Sequence, residues 1–195
     1  MKNILLCGVG GQGTVLASKI LAKSAMERGE TVHTAETIGM AQRGGSVVSH
    51  VRIGKDCSAP LIARGQADVI LAFEAAEAVR NLSYLKDGGT VVVSSTAVKP
   101  VTDALSKTDY DVQVMLDYLA RQSIRLIVVD GDALVEKCGS ARVLNIALLG
   151  AAAKADTIGM TVEDIRHIVE TTLAPKFQAM NLQALELGAA AAFAE

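Results

Sequence analysis

There is no tryptophan in the 195 residues of this chain, and only 3% of them are aromatic. With so few flat side chains and a formal net charge of −2, the chain has neither the basic face nor the stacking platforms that bind nucleic acid, which points away from DNA or RNA as a partner. Cysteine is scarce: Cys7, Cys57 and Cys138, with no C-x-x-C pair among them. That spacing argues against an iron–sulfur cluster or a zinc site held by this chain alone. Cys7 lies in an apolar run and reads as a small buried hydrophobe, Cys57 falls in a turn and is the one expected to be accessible, and Cys138 sits near a helix end. His33, His50 and His167 are far apart and lack carboxylates at ligand spacing, so no metal ligand, hydrolytic triad or catalytic residue is assigned. No apolar run approaches membrane-spanning length, and Met1-Lys2-Asn3 leads into a strand rather than a secretory signal. The expected compartment is the cytoplasm.

What is present is aliphatic. Half of the residues are apolar, enough for one α/β domain over 1–195 with a substantial core and too few for two independent domains. The most informative segment comes early. Ile4-Leu5-Leu6-Cys7 is an apolar strand, Gly8-Val9-Gly10-Gly11-Gln12-Gly13 a glycine turn, and Thr14 to Arg28 a helix with apolar residues at Val15, Leu16, Ile20, Leu21 and Ala25. Such a turn aims backbone N–H groups and the positive end of a helix dipole at one point, which suits a phosphate. The same glycines also let a helix pack closely on its strand with no ligand, so binding and packing both stay open.

Thr31 to Glu36 reads as the next strand, giving a β-α-β unit with a right-handed crossover. Glu36 falls near the place, about 20 residues past the glycines, where a dinucleotide fold puts its ribose-binding acid; a solvated or Arg-paired glutamate is the plainer reading. Thr37 to Gly54 departs from that pattern. A polar loop with Arg43-Gly44-Gly45-Ser46 leads into a strand with Val47, Ser49, Val51 and Ile53 on one face and Val48, His50 and Arg52 on the other. The alternation predicts an antiparallel or partly solvated strand and a mixed sheet. Arg43 beside two glycines is a candidate anion clamp or a solvated turn residue.

Further along, Ala67 to Phe73 reads as a buried strand, Glu74 to Leu85 as a helix, and Thr90 to Ser94 as a strand after the turn Asp87-Gly88-Gly89. Ser95 to Asp109 reads as a loop, Val112 to Gln122 as a helix and Arg125 to Asp130 as a strand. From Arg142 onward the pattern is helical, with dense small and apolar residues suited to a buried helix or a subunit interface. Thr161 is the expected N-cap of one helix, Phe177, Met180, Leu182, Leu185 and Leu187 are packing residues of another, and Ala189 to Glu195 is expected to fray.

GVGGQG at Gly8 to Gly13, ASKILAKSA at Ala17 to Ala25, ETIGMAQRGGSVVSHVRIG at Glu36 to Gly54 and NLQALELG at Asn181 to Gly188 together resemble the gamma-type subunits of 2-oxoacid:ferredoxin oxidoreductases. The resemblance covers nearly the whole chain. GMAQRGGSV is its most specific stretch and favours the indolepyruvate branch, whose small subunit is the beta subunit, over pyruvate, 2-ketoisovalerate or 2-oxoglutarate relatives. It implies a single Rossmann-like α/β domain, with a mostly parallel sheet, a mixed strand and a helical C-terminal region. It also implies an accessory subunit, inactive alone, of a complex that oxidatively decarboxylates a 2-oxoacid, passes electrons to ferredoxin and transfers the acyl group to coenzyme A. Thiamine diphosphate, Mg and [4Fe–4S] clusters are then expected on a large partner. Asp130-Gly131-Asp132 resembles part of a thiamine signature, but in the wrong order and with no Asn pair after it, and reads as a turn. By the same resemblance Gly8, Gly10, Gly11, Gln12, Gly13, Glu36, Arg43, Gly44, Gly45 and Ser46 are the candidate cofactor-binding residues, with coenzyme A as the ligand. A free-standing nucleotide-binding dehydrogenase and a scaffold whose glycine loop only packs are the competing readings; the dehydrogenase lacks a recognisable substrate domain.

Overall fold

The computed structural model describes residues 1–38, 45–55, 57–98 and 110–192. Among them six strands, β1 (Lys2–Val9), β2 (Val32–Ile38), β3 (Ser46–Ile53), β4 (Ala67–Ala72), β5 (Leu85–Ser94) and β6 (Arg125–Val129), form one sheet in the order β2-β3-β1-β4-β5-β6. The pairs β1/β4, β4/β5 and β5/β6 are parallel, and β3 runs antiparallel to both β1 and β2. The expected mostly parallel sheet with one mixed strand is therefore present. One detail differs: β1 and β2 do not pair, because β3 lies between them.

Helices α1 (Thr14–Glu27), α5 (Leu144–Lys154), α6 (Val162–Thr172) and α7 (Pro175–Ala191) cover one face, packing on Ile4, Leu6, Val51, Val69 and Leu71. The other face, with Leu5, Cys7, Ile70 and Val91, is covered by α2 (Ala75–Asn81) and α3 (Val112–Ala120). Helix α4 (Gly131–Cys138) follows β6. The parallel strands read as unbroken apolar runs because both of their faces are covered. The C-terminal helices come unusually close: a Cβ on Gly150 would run into the Leu185 carbonyl, and one on Gly188 into the Ala147 carbonyl. Small residues at the crossing of α5 and α7 let the two backbones touch.

Several local readings are corrected. Strand β3 is antiparallel to both neighbours, as its alternation predicts, but its second face is more covered than the alternation suggests: Val48 and Arg52 are half-buried, and His50 is only 4% exposed, accepts from Ile62 N through Nδ1 at 3.2 Å, and meets Tyr84 edge-on. Arg52 donates to the carbonyls of Ala59 and Leu61, so the segment after β3 folds back over its second face. Cys57, in that segment, is buried, with Sγ 3.1 Å from Ala59 O, and not accessible. The helix after β4 stops at Asn81; Leu82–Tyr84 form a 3₁₀ turn and β5 already begins at Leu85, so Asp87-Gly88-Gly89 lies inside that strand. Asp130-Gly131-Asp132 is a helix start and not a turn, since Asp130 caps α4 by accepting from Ala133 N at 3.0 Å. Helix α7 continues to Ala191, and Ala189 and Ala192 are buried, so the tail is ordered that far because it closes the core. The Thr161 cap is present with its capping box: Asp164 N donates to Thr161 Oγ1 at 3.1 Å and Thr161 N to Asp164 Oδ2 at 2.8 Å. The expected loop from Ser95 to Asp109 lies outside the described residues from 99 onward.

Candidate functional site

The glycine loop closes β1 and opens α1 at the carboxyl edge of the sheet. Gly13 caps α1 in the left-handed conformation, φ 80° and ψ 24°, and among the described residues no side chain caps the helix. Its first turn carries no acidic residue, so the positive end of the α1 dipole is left uncompensated. Asn145, 1% exposed at the start of α5, donates through Nδ2 to Gly13 O at 3.2 Å and accepts from Ile146 N at 2.9 Å. A Cβ on Gly13 would strike that amide, and its positive φ already disfavours any other residue.

Gln12 does something other than reach for a ligand. Its Oε1 accepts from Val9 N at 2.8 Å and its Nε2 donates to Phe73 O at 2.9 Å. The side chain thus bridges the carboxyl ends of β1 and β4. Since α1 and α2 leave these neighbouring strands for opposite faces, this is the crevice where open α/β sheets hold a dinucleotide, and Gln12 spans it. Open space lies to either side. One groove of about 320 Å³ is lined by Val9, Gly10, Gly11, Gly13, Thr14, Val15 and Val47. A smaller one of about 130 Å³ runs past Gly11, Gln12, Thr96, Arg142 and Leu144. Thr14, in the wall of the first, is 3% exposed with an Oγ1 that has no hydrogen-bond partner among the described residues.

The second glycine segment meets the first. Gly10 N donates to Gly45 O at 2.8 Å, and Ser46 pairs with Val9. The Ser46 hydroxyl donates to Glu77 Oε2 at 2.6 Å. Arg43 and Gly44 lie outside the described residues. Glu36 is not beside the loop: β3 stands between its strand and β1, which at about 4.8 Å per strand puts it roughly 10 Å away in the sheet. It is exposed and accepts from Ser18 Oγ at 3.2 Å. The structure brings Gly10, Gly11, Gln12, Gly13, Gly45 and Ser46 together and leaves Glu36 apart.

Three residues around the loop escaped the sequence reading. Asn145 is one; a lone amide inside an apolar helix was its signal. Glu74 and Glu77, on and before α2, are 2% and 3% exposed. Glu74 caps α2 by accepting from Glu77 N at 3.1 Å and also accepts from the Tyr110 hydroxyl. Burial pushes the Glu74 carboxyl up from its ordinary value, the Glu77 charge adds to the rise, and the backbone N–H groups of Glu77, Ala76 and Ala75 oppose it. Nothing distinguishes these two glutamates from solvated ones in sequence. A roomier cleft of about 390 Å³ between α1 and α6 is lined by the ion pair of Arg28 with Asp164 and by His167, whose Nε2 lies 3.2 Å from Glu27, at the far end of α1 and about 20 Å from the glycine turn.

Among the described residues no group of three His, Cys, Asp or Glu side chains is placed to hold a metal ion, and no helix is long and apolar enough to cross a membrane. Chemically, the loop offers backbone N–H donors, a helix dipole and a hydroxyl around a groove that bears no carboxylate among the described residues. That set suits an oxyanion such as a phosphate.

Known proteins resemble the chain over nearly its whole length. The protein named indolepyruvate oxidoreductase subunit IorB from Archaeoglobus fulgidus is 37% identical over 187 residues, covering 95% of this chain and 92% of that protein. The protein of the same name from Thermococcus kodakarensis is 33% identical over 192 residues, covering 97% and 95%. The solved gamma subunit of a keto/oxoacid ferredoxin oxidoreductase from Geobacter sulfurreducens superposes with a TM-score of 0.73 over all of both chains at 24% identity, a likeness of fold. A family model described as pyruvate ferredoxin/flavodoxin oxidoreductase matches residues 3–191, and with these relatives it places the chain in the pyruvate ferredoxin/flavodoxin oxidoreductase family.

Proposed function

We propose that this chain is the accessory, gamma-type subunit of a coenzyme A-dependent 2-oxoacid:ferredoxin oxidoreductase acting on indolepyruvate and other aryl pyruvates, working in the cytoplasm with a large partner subunit. The partner carries thiamine diphosphate, Mg and the [4Fe–4S] clusters, which supply decarboxylation and electron transfer. This chain holds coenzyme A by its phosphates. The observation that carries the reading is the N-terminus of α1 at Gly13, with neither a capping side chain nor a carboxylate beside it among the described residues, opening on a groove of about 320 Å³. The first-turn N–H groups there would donate to phosphate oxygens, Thr14 Oγ1 would gain the partner it lacks among the described residues, and Arg43, two residues before Gly45 in the sequence, would add a bidentate clamp. The names of the relatives at 33% and 37% identity support the aryl pyruvate preference. The dehydrogenase alternative loses support from the same geometry, since Gln12 spans the dinucleotide crevice and Glu36 stands two strands from β1.

The test is viologen reduction with indolepyruvate and coenzyme A by this chain alone, the large subunit alone, and the mixture. Activity is expected only in the mixture. Arg43→Ala is expected to raise the apparent KM for coenzyme A with assembly intact. An unchanged KM would remove the clamp. No turnover of indolepyruvate, pyruvate or 2-oxoglutarate by the mixture would remove the enzymatic reading.

A further inference from the structure

A carboxylate is costly to bury unless something repays its lost hydration. Glu77 is 3% exposed, yet its cationic partner among the described residues, Arg80, has a side chain 63% exposed and pairs with Oε1. The other oxygen, Oε2, takes the Ser46 hydroxyl at 2.6 Å. Ser46 is the first residue of β3 and lies opposite Val9, the last residue of β1. The carbonyl just before it, Gly45 O, receives Gly10 N at 2.8 Å, and the residue just after it, Val47, lines the groove. The Ser46 hydroxyl therefore anchors the short stretch of chain that both ties down the glycine loop and walls the groove. Glu77 in turn is fixed by Glu74, whose Oε2 accepts Glu77 N at 3.1 Å. Besides the pair with Arg80, the carboxylate makes one short, charge-assisted bond that links α2 to the start of β3.

We infer that Glu77 is a positioning residue for the glycine-loop site: through Ser46 it holds the Gly45-Ser46-Val47 wall in the register that lets the groove take a phosphate-bearing ligand. This rests on the reading of the groove as a coenzyme A phosphate site. Glu77 touches no ligand, and Ser46, whose proton is committed to Glu77, acts in the wall.

The assembled complex is the material for the test. Apparent KM for coenzyme A and kcat are measured for Ser46→Ala, Ser46→Thr, Glu77→Leu and the double variant Ser46→Ala/Glu77→Leu. Loss of one such hydrogen bond predicts a KM about 3- to 10-fold higher for Ser46→Ala and for Glu77→Leu, with kcat within about twofold. Ser46→Thr, which keeps the hydroxyl, restores the wild-type KM, and the double variant is no worse than the poorer single one. If Glu77→Leu does not assemble, the contrast between Ser46→Ala and Ser46→Thr decides. Equal KM for those two variants, or additive effects in the double, overturns the inference. Gly10→Asp separates the two levels: it places a carboxylate beside the bound phosphate and raises KM if the groove holds coenzyme A. A Gly10→Asp effect with silent Ser46 and Glu77 variants discards the positioning role alone, whereas a silent Gly10→Asp discards the coenzyme A site and the inference with it.

Discussion

Single side chains set the shape of the glycine loop, and the most consequential is Gln12. It satisfies a strand-end N–H and a neighbouring carbonyl at once. Gln12→Ala leaves both without their partner, and a loss of about 1–3 kcal/mol of stability is expected, read as a lower midpoint in urea with unchanged m. His50 gives the molecule an acid sensitivity. Burial, and secondarily the Arg52 charge, lower its pKa from 6.5. The unfolded chain then binds the proton more readily than the folded one, so the stabilising contribution is complete above pH 6.5 and falls as the pH drops below it. Glu74 works in the opposite sense, since its raised pKa gives a contribution that is full below 4.5 and is lost as the pH rises through the folded value. Between pH 7.5 and 5 the melting temperature of the wild type should drop relative to that of His50→Gln, which keeps an acceptor but does not titrate, while the Glu74 contribution is common to both curves. Parallel curves would remove His50 as the cause.

Elements show where periodicity sufficed and where it did not. The strands of both covered faces and the helix after the glycine turn are legible from apolar spacing alone. Strand β3 was legible as a strand but not in its surroundings: the polar alternation of Val48, His50 and Arg52 gives no hint that residues beyond Gly54 fold back over them. In sequence the end of helix α7 looks frayed because Ala runs carry no packing signal. The contacts of Ala189 and Ala192 come from elsewhere in the chain. At the α5–α7 crossing, Gly188→Ala must push two backbones apart, and the expected cost is at least about 1–3 kcal/mol, seen as a lower melting temperature. Gly139→Ala, whose added Cβ meets nothing within 4 Å but sits at φ 73°, is expected to lose stability through backbone strain without crowding.

At the scale of the molecule, the decisive feature is the order β2-β3-β1-β4. Inserting an antiparallel strand between β1 and β2 removes Glu36 from the glycine loop and takes the ribose acid out of a dinucleotide arrangement, while leaving the α1 N-terminus able to hold a phosphate. Nicotinamide dinucleotides are therefore expected to leave the melting temperature of the assembled complex unchanged. Coenzyme A at 100 times its Kd should stabilise it by about 2.7 kcal/mol. Protection by the dinucleotide in place of coenzyme A would reverse the assignment.

The sequence alone determined what depends on local order: an aliphatic α/β domain, the strand–glycine–helix turn, the Thr161 cap, the mixed strand and the family. Each rests on spacing along a few neighbouring residues, which is what hydrophobic period, turn chemistry and motif encode. Only the tertiary structure decided which of those pieces meet. Gln12 bridging to Phe73, Asn145 under Gly13, Glu77 holding Ser46 and Glu36 standing apart all join or separate residues 18 to 132 positions distant. Such pairings are fixed by strand order and by the burial of polar groups that then need partners, and no local pattern records them.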